Sequence, residues 1–256
     1  MKASFQDVEL QCPSTRFCDA VTLLRDFAII TYSIEPAKLS EQLPKGIEPD
    51  VYRLDSGKEV AFISAVPFRD KGFHFAGFPF LRFGMGQINY RAYVLHEGRR
   101  CVWFFGTSLT GPTVFIPRHC WKLPWHPAKM KFDVSWDGDV CRSYNLESKS
   151  KWCDSRVRLS GTAETLSRLD GFETEEETKV VLTHPLKGLF YRRDGKVGSY
   201  SIWHDKLDLY LGRVEKAKFE LFESLGLVLP DAEPHSVLLQ RETEFIIKLP
   251  PVVVSE

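Results

Sequence analysis

The sequence predicts one β-dominated domain of the α+β class, formed by residues 1–256, with two or three helices at its periphery. Segments in which polar and apolar residues alternate recur along the chain, and this alternation is typical of half-buried strands. Turn sequences such as Asp137-Gly138-Asp139 join neighbouring segments as hairpins. No repeat, low-complexity tract or linker divides the chain, so one shared core is expected. Residues 1–26, which are mixed in polarity, are predicted to form an N-terminal arm.

The strand predictions cover most of the chain. A run of apolar residues begins at Phe27, and the β-prone segment after Glu59 continues this pattern. A central hairpin turns at His96-Glu97-Gly98. The predicted strands are residues 27–34, 59–66, 86–94, 100–107, 130–136, 140–144, 155–159, 197–203 and 236–249.

Three segments are predicted to be helical: residues 36–43, 174–182 and 213–225. Pro36 stands in the first turn of the first, where its missing N–H is harmless. Thr174 is a good N-cap for the second, and three glutamates follow it. Gly226 is a good C-cap for the third. Residues 68–83, rich in phenylalanine and glycine, are predicted to form a loop.

The charges of the chain balance, with 34 Lys and Arg residues against 34 Asp and Glu residues. Proteins that bind nucleic acids or anionic membranes usually carry a basic surface, so neither partner is expected. No window approaches the roughly 20 apolar residues of a membrane span, and no apolar signal segment follows the N-terminus. The six cysteines include no Cys-x-x-Cys pair. These features predict a cytoplasmic protein with free thiols.

A row of polar side chains marks the first strand of the central hairpin. Gln87, Asn89, Arg91 and Tyr93 alternate along it and therefore share one face. One interpretation is a solvated outer face of an antiparallel sheet. The other is a pocket, in which the guanidinium of Arg91 holds a ligand carboxylate by a bidentate bond.

The segment after this hairpin is dense in aromatic and basic residues. A lysine buried there would have a lowered pKa and a nucleophilic neutral amine, so Lys122 and Lys129 are candidate nucleophiles. The simpler alternative is a pair of surface lysines whose stems pack on aromatic rings. His119 and His126 have no acidic partner at ligand spacing, so no metal site and no cofactor are predicted.

Four segments carry a resemblance to a known group of proteins: residues 29–52, 87–94, 102–107 and 118–130. The first combines a strand with a short helix that ends in Leu43-Pro44-Lys45-Gly46. In their order and spacing these segments resemble the acetoacetate decarboxylase-like superfamily, in particular an uncharacterised bacterial branch of it. The resemblance implies a cone-shaped, mostly antiparallel β-barrel around an apolar cavity. In the true decarboxylases a lysine in that cavity forms a Schiff base with a β-keto acid.

The sequence departs from this family at the catalytic positions. The decarboxylases carry two adjacent lysines directly after a proline, whereas here Pro124 is followed by Trp125 and His126, and no Lys-Lys pair occurs. The acidic residue expected at Gln87 is an amide. Acetoacetate decarboxylation is therefore not expected.

Three hypotheses of function follow. The first is a pocket for a small apolar or carboxylated molecule, with His126 as its acid–base group. The second is a lyase that acts on a keto acid through a Schiff base on Lys122 or Lys129. The third is a partner-binding or homo-oligomeric protein whose aromatic loop, residues 73–83, forms the interface. The residues expected to orient the ligand are Gln87, Asn89, Arg91 and Arg118, and those expected to form the wall are Phe83, Trp103, Trp121 and Trp125.

Overall fold

The computed structural model describes residues 3–7, 10–111 and 115–254. Within these ranges the chain forms thirteen strands, four short α-helices and one turn of 3-10 helix at Phe5–Asp7. The strands are β1 (Ala20–Ile34), β2 (Ile47–Pro49), β3 (Val51–Arg53), β4 (Glu59–Phe75), β5 (Phe83–His96), β6 (Arg99–Leu109), β7 (Trp125–Asp137), β8 (Val140–Ser150), β9 (Ser155–Thr165), β10 (Lys187–Tyr191), β11 (Val197–Trp203), β12 (Tyr210–Phe219) and β13 (Ser236–Val253). The helices are α1 (Pro36–Ser40), α2 (Phe115–Cys120), α3 (Glu175–Thr183) and α4 (Glu220–Ser224).

The strands belong to one sheet that closes on itself twice. A ring of seven strands follows the order β1, β4, β5, β6, β10, β11 and β13, and β13 pairs with β1 again. A second ring leaves β6 through β7, β8, β9 and β12 and also returns to β13. The two rings share β1, β4, β5, β6 and β13. Most pairs are antiparallel, and β6 pairs in parallel with both β7 and β10.

Both faces of the five shared strands are covered, and each face belongs to a different core cluster. On β5, Ile88, Tyr90 and Ala92 point into the cluster enclosed with β7, β8, β9 and β12. The alternate residues point to the other side, into the cluster that the ring of seven strands shares with α3. Because successive side chains of a strand point to opposite faces, one strand supplies two environments.

The predicted β-dominated fold class is confirmed, and so are the central hairpin and the strand Val197–Trp203. The hairpin of β7 and β8 turns at Gly138, which has a positive φ of 58° as such turns require. Thr174 caps α3 as predicted, since its hydroxyl accepts a hydrogen bond from the Glu177 N–H. Within the described ranges there are four α-helices, where two or three were expected.

The loop predicted over residues 68–83 is wrong in its first half. Strand β4 continues to Phe75 and pairs with both β1 and β5 along this stretch. A register shift between Lys71 and Phe73 surrounds Gly72, whose φ is +72°. Glycine tolerates this conformation, so the strand bends at a bulge and then continues.

The helix predicted over residues 213–225 is also wrong. Its first half is strand β12, which pairs with β9 from Arg213 to Phe219, and only Glu220–Ser224 is helical. Pairing satisfies the backbone groups of β9, and such tertiary context outweighs local spacing. Gly226 does follow the helix, with a φ of +69°. The short strands β2, β3 and β10 and helix α2 were not predicted.

The predicted N-terminal arm is shorter than residues 1–26, because β1 already begins at Ala20. Residues 1, 2, 8 and 9 of the arm lie outside the described residues. Asp19 anchors the start of β1: its carboxylate accepts bonds from Arg16, Lys248 and the Leu249 N–H. These partners hold its pKa well below the usual range, against the opposing effect of burial. No helix in the described part of the chain is long and apolar enough to cross a membrane.

Candidate functional site

A cavity lies inside the ring of seven strands, on the face of β5 that carries the polar row. Together with the open solvent at its mouth, it comprises about 950 Å³ of space free of protein atoms. Its polar lining residues are Thr22, Asp70, Gln87, Asn89 and Arg91, with Thr183 and Tyr200 beside them. Its walls are mainly apolar, and include Leu24, Phe27, Phe68, Phe104, Ile202 and Phe245.

Arg91 forms the charged end of this cavity and is only 8% exposed. Its Nη2 donates to the Leu182 carbonyl at 2.8 Å and to the Tyr93 hydroxyl at 3.2 Å. Leu182 lies in the last turn of α3, where carbonyls lack intrahelical partners and a cation is favourable. The Nε atom of Arg91 is buried and has no hydrogen-bond partner. Arg91 therefore offers the cavity a cation with an unused donor.

A buried hydrogen-bonded chain fixes the position of Arg91. The Tyr93 hydroxyl donates to the Leu182 carbonyl at 3.1 Å, so it accepts from the Ser64 hydroxyl at 2.9 Å. Ser64 in turn accepts from Thr31, also at 2.9 Å. The guanidinium carbon of Arg91 lies 5.4 Å from the centre of the Tyr93 ring. Such a fully connected network holds the guanidinium in one orientation before any ligand binds.

Gln87 and Asn89 occupy the middle of the cavity on the same face of β5. The Asn89 side-chain oxygen accepts from Gln87 Nε2 and from the Thr107 hydroxyl, both at 2.8 Å. The remaining polar atoms of the pair are the Asn89 amide nitrogen and the Gln87 carbonyl oxygen. The pair thus supplies one donor and one acceptor between the two ends of the cavity.

Asp70 lies farther along the cavity, on β4 opposite Met85 of β5. Its side chain is buried, and one carboxyl oxygen accepts from the Thr22 hydroxyl at 3.0 Å. The other oxygen, Oδ2, is buried without a partner. Burial raises the pKa of Asp70 to about 7, and the bond from Thr22 opposes this only in part. An acid with such a pKa exchanges a proton near neutral pH.

Five of the predicted site residues line this cavity: Gln87, Asn89, Arg91, Trp121 and Trp125. Trp103, which was expected in the wall, does not line the cavity. It pairs with Ala92, whose side chain points to the opposite face, and it packs against Tyr191 at a ring separation of 4.9 Å. Phe104 takes its place in the wall, because the register of the hairpin pairs Phe104 with Arg91.

His126, the predicted acid–base group, does not line the cavity. Its ring stacks on Trp152 with centres 3.9 Å apart. Burial, together with the smaller effect of the charges on Arg118 and Arg193, lowers its pKa to about 4. The imidazole is therefore neutral at pH 7 and is engaged with an aromatic ring outside the cavity.

The other predicted basic residues, Arg118, Lys122 and Lys129, do not line the cavity. The Arg118 guanidinium donates to the Trp125 carbonyl and so supports a wall residue from behind. Lys122 is half-buried at a position with a φ of +57°, and Lys129 is exposed on β7. Phe83 is exposed at the start of β5. Among the described residues no lysine lines the cavity.

No cluster of three metal-ligating side chains occurs in the part of the chain that the structure describes. His119 is exposed at the end of α2 and stacks on Phe115, whereas His126 stacks on Trp152. The two histidines therefore have separate aromatic partners.

Comparison with known families assigns the chain. The model of the DUF2071 family, described as an uncharacterized conserved protein (COG2071), matches residues 22–244. The chain belongs to the DUF2071 family. A search of curated protein sequences finds no significant match.

Solved structures relate the fold of this DUF2071 protein to acetoacetate decarboxylases. The acetoacetate decarboxylase of Legionella pneumophila is 15% identical, with 99% of this chain and 96% of that chain covered and a TM-score of 0.62. An acetoacetate decarboxylase-like enzyme of Sphingomonas wittichii RW1 is 11% identical, with 96% and 100% covered and a TM-score of 0.61. The enduracididine biosynthesis enzyme MppR, complexed with pyruvate, is 10% identical, with 95% and 92% covered and a TM-score of 0.61. These likenesses confirm the acetoacetate decarboxylase-like fold.

Among the cavity residues of the DUF2071 chain that the sequence analysis missed, Asp70 is the charged one. Asp70 was placed in a predicted loop, although Val66, Phe68 and Asp70 alternate as residues of one strand face do. Extending the strand at 59–66 by four residues would have put its carboxyl on the same face as the two apolar side chains.

Proposed function

We propose that this DUF2071 protein binds a small, largely apolar carboxylic acid, whose carboxylate contacts Arg91. The observation that carries the proposal is the buried, unpartnered Nε of Arg91 at the end of an apolar cavity. A buried donor without a partner is unfavourable, and a bound carboxylate would provide the missing acceptor and a countercharge. The apolar walls would bind the remainder of the molecule by removing it from water.

The geometry favours this function over a Schiff-base lyase. Imine formation needs a lysine amine in contact with the carbonyl carbon of the substrate. Neither Lys122 nor Lys129 is among the residues that line the cavity, and the same holds for every other lysine of the described chain. The complex of MppR with pyruvate, a keto acid, makes such acids reasonable members of a ligand panel.

The test is calorimetric titration with a panel of carboxylic acids and keto acids, each beside its methyl ester. We expect the acids to bind and the esters to bind less well. Arg91→Met is expected to weaken acid binding roughly 10- to 100-fold, the range for one charge-assisted hydrogen bond. Arg91→Lys is expected to restore only part of it, because an ammonium lacks the planar fork.

Arg100→Met is the matched control. Arg100 is a partly buried arginine on the neighbouring strand, outside the cavity, with an ion pair to Asp50 at 2.9 Å. Its loss should affect stability but leave acid affinity unchanged. Equal affinities of Arg91→Met and the parent protein would contradict the proposal. Borohydride added to the keto-acid samples should trap no adduct, and a mass gain on Lys122 or Lys129 would favour the lyase.

We also propose an interface function for the aromatic loop, residues 73–83. Phe80 is 76% exposed, and Phe78, Leu81 and Phe83 are exposed around it. Phe78 packs against Phe17, which is exposed as well. Clustered exposed apolar side chains of this kind mark interaction sites, whereas scattered single ones do not.

A further inference from the structure

The cavity contains two buried polar atoms without partners, and they belong to different ends of it. One is Nε of Arg91 and the other is Oδ2 of Asp70. Asp70 pairs with Met85, so six residues of β5 separate its position from Arg91. At about 3.3 Å per residue, the two backbone positions are about 20 Å apart along the strand. A carboxylate bound at Arg91 would not provide a hydrogen-bond partner for Oδ2 of Asp70.

The space between these two atoms is long, and its walls are mainly apolar apart from Gln87 and Asn89. Its lining residues extend from Val66 to Phe73 on β4 and from Thr22 to Phe27 on β1, alongside β5. Phe27, Phe68 and Phe245 lie between the ends, where rings of Phe27 and Phe68 and of Phe27 and Phe245 are in contact. A space of this form fits an acid with an extended hydrocarbon chain.

We propose that Asp70 and Thr22 form a second polar subsite, which binds a hydroxyl group at the far end of an aliphatic carboxylic acid. The carboxylate of the same molecule binds Arg91, so this inference rests on the proposed function. The ligand class is therefore the long-chain acids that carry a terminal hydroxyl group, the ω-hydroxy acids.

A hydroxyl group suits this subsite better than a charged group. It donates to Oδ2 when Asp70 is a carboxylate and accepts from it when Asp70 is protonated, so both states of the acid are satisfied. An ammonium would have to lose its water in an apolar cavity, which costs far more than the transfer of a hydroxyl. Thr22 holds the other oxygen of Asp70 at 3.0 Å and leaves Oδ2 for the ligand.

The experiment compares ω-hydroxy acids with plain fatty acids of equal length, in chains of about eight to about sixteen carbons, the longest of which approach the separation of the two backbone positions. In a purely apolar cavity the hydroxyl would weaken binding, because it would lose hydrogen bonds to water. We expect the reverse in the parent protein: a roughly 10-fold preference for the ω-hydroxy acid at the best-fitting length.

Asp70→Leu should abolish this preference and leave the affinity for the plain acid unchanged or higher. Asp50→Asn is the control, since Asp50 is a buried aspartate outside the cavity that bonds to Tyr52 and Arg100. The preference is a ratio within one protein, so it remains interpretable if a variant is less stable.

The outcomes separate the two proposals. Binding of plain acids that depends on Arg91, without a preference for the hydroxyl, overturns the Asp70 subsite and leaves the proposed function intact. A preference that persists in Asp70→Leu also overturns the subsite. Absence of binding by both series overturns the proposed function and the subsite with it.

Discussion

The carboxyl group of Asp70 links the stability of this protein to pH, because its pKa differs between the folded and the unfolded chain. Its ordinary pKa is 3.8, and burial raises it to about 7 in the fold. Between these values the folded state binds the proton more tightly than the unfolded state does. The free energy of unfolding therefore falls as the pH rises from about 4 to about 7, and this contribution is constant above that range.

The first prediction at this scale concerns Asp70→Asn. The amide cannot ionise, so the free energy of unfolding of the variant should not fall with rising pH on account of residue 70. The difference between the pKa values of 3.8 and about 7 limits this loss in the parent protein to about 4 kcal/mol. Between pH 5 and pH 8 the stability of Asp70→Asn relative to the parent protein should rise by roughly 2–3 kcal/mol. Urea unfolding at both pH values measures it. A stability difference between the two proteins that does not change with pH would show that the fold does not raise the pKa of Asp70.

At the scale of elements, α3 is a correctly predicted helix whose C-terminal end contacts the site. Its N-terminus follows from local sequence, since Thr174 accepts the Glu177 N–H at 3.0 Å. Its C-terminus supplies the Leu182 carbonyl to Arg91 and the Thr183 side chain to the cavity. The start of the helix is thus a matter of local chemistry, while its end acts through contacts between residues 91 positions apart.

Loss of the N-cap of α3 should therefore lower the free energy of unfolding by a measurable amount. Thr174→Ala is expected to lower the free energy of unfolding by about 1 kcal/mol, because the Glu177 N–H loses its acceptor. Thr174→Ser keeps the hydroxyl and should stay within about 0.5 kcal/mol of the parent protein. Urea denaturation of the three proteins under one condition gives both values. If the two variants are equally destabilised, the methyl group of Thr174 matters and the cap does not.

At the scale of the whole molecule, two closed rings of strands leave the aromatic loop outside both. Strands β4 and β5 stay paired up to Phe73 and Phe83, and the loop between them carries exposed rings instead of polar turn residues. Exposed apolar side chains gain stability when a second surface covers them. We expect a second copy of this chain to be that surface.

Sedimentation velocity tests this expectation. Phe80→Ser removes the most exposed ring of the loop and should shift the parent protein from a dimer or larger assembly towards the monomer. Leu229→Ser is the matched control, because Leu229 is 75% exposed at a distant loop. It should leave the assembly unchanged. A monomeric parent protein, or the same distribution for both variants, would contradict the interface.

Much of the fold and part of the site follow from local patterns. Alternation places Gln87, Asn89 and Arg91 on one face of a strand, and the structure places that face in the cavity. The resemblance to acetoacetate decarboxylase-like proteins supplied the expectation of a cavity, which no local pattern contains. His126 was chosen because it follows Pro124 and Trp125, where the decarboxylases carry their lysines. In the structure its ring stacks on Trp152, 26 positions away, and it does not line the cavity.

By itself, the sequence determined the strands other than β2, β3, β10 and β12, the central hairpin, the cap of α3 and the shared face of the polar row, because each depends on residues within a few positions of one another. The tertiary structure decided which side chains meet. Pairing across β4 and β5 brought Asp70 into the cavity, and pairing across β5 and β6 placed Phe104, opposite Arg91, on the cavity side and Trp103 on the other face. Ring closure and strand register depend on pairings between distant residues, and a slip of one residue moves a side chain to the other face.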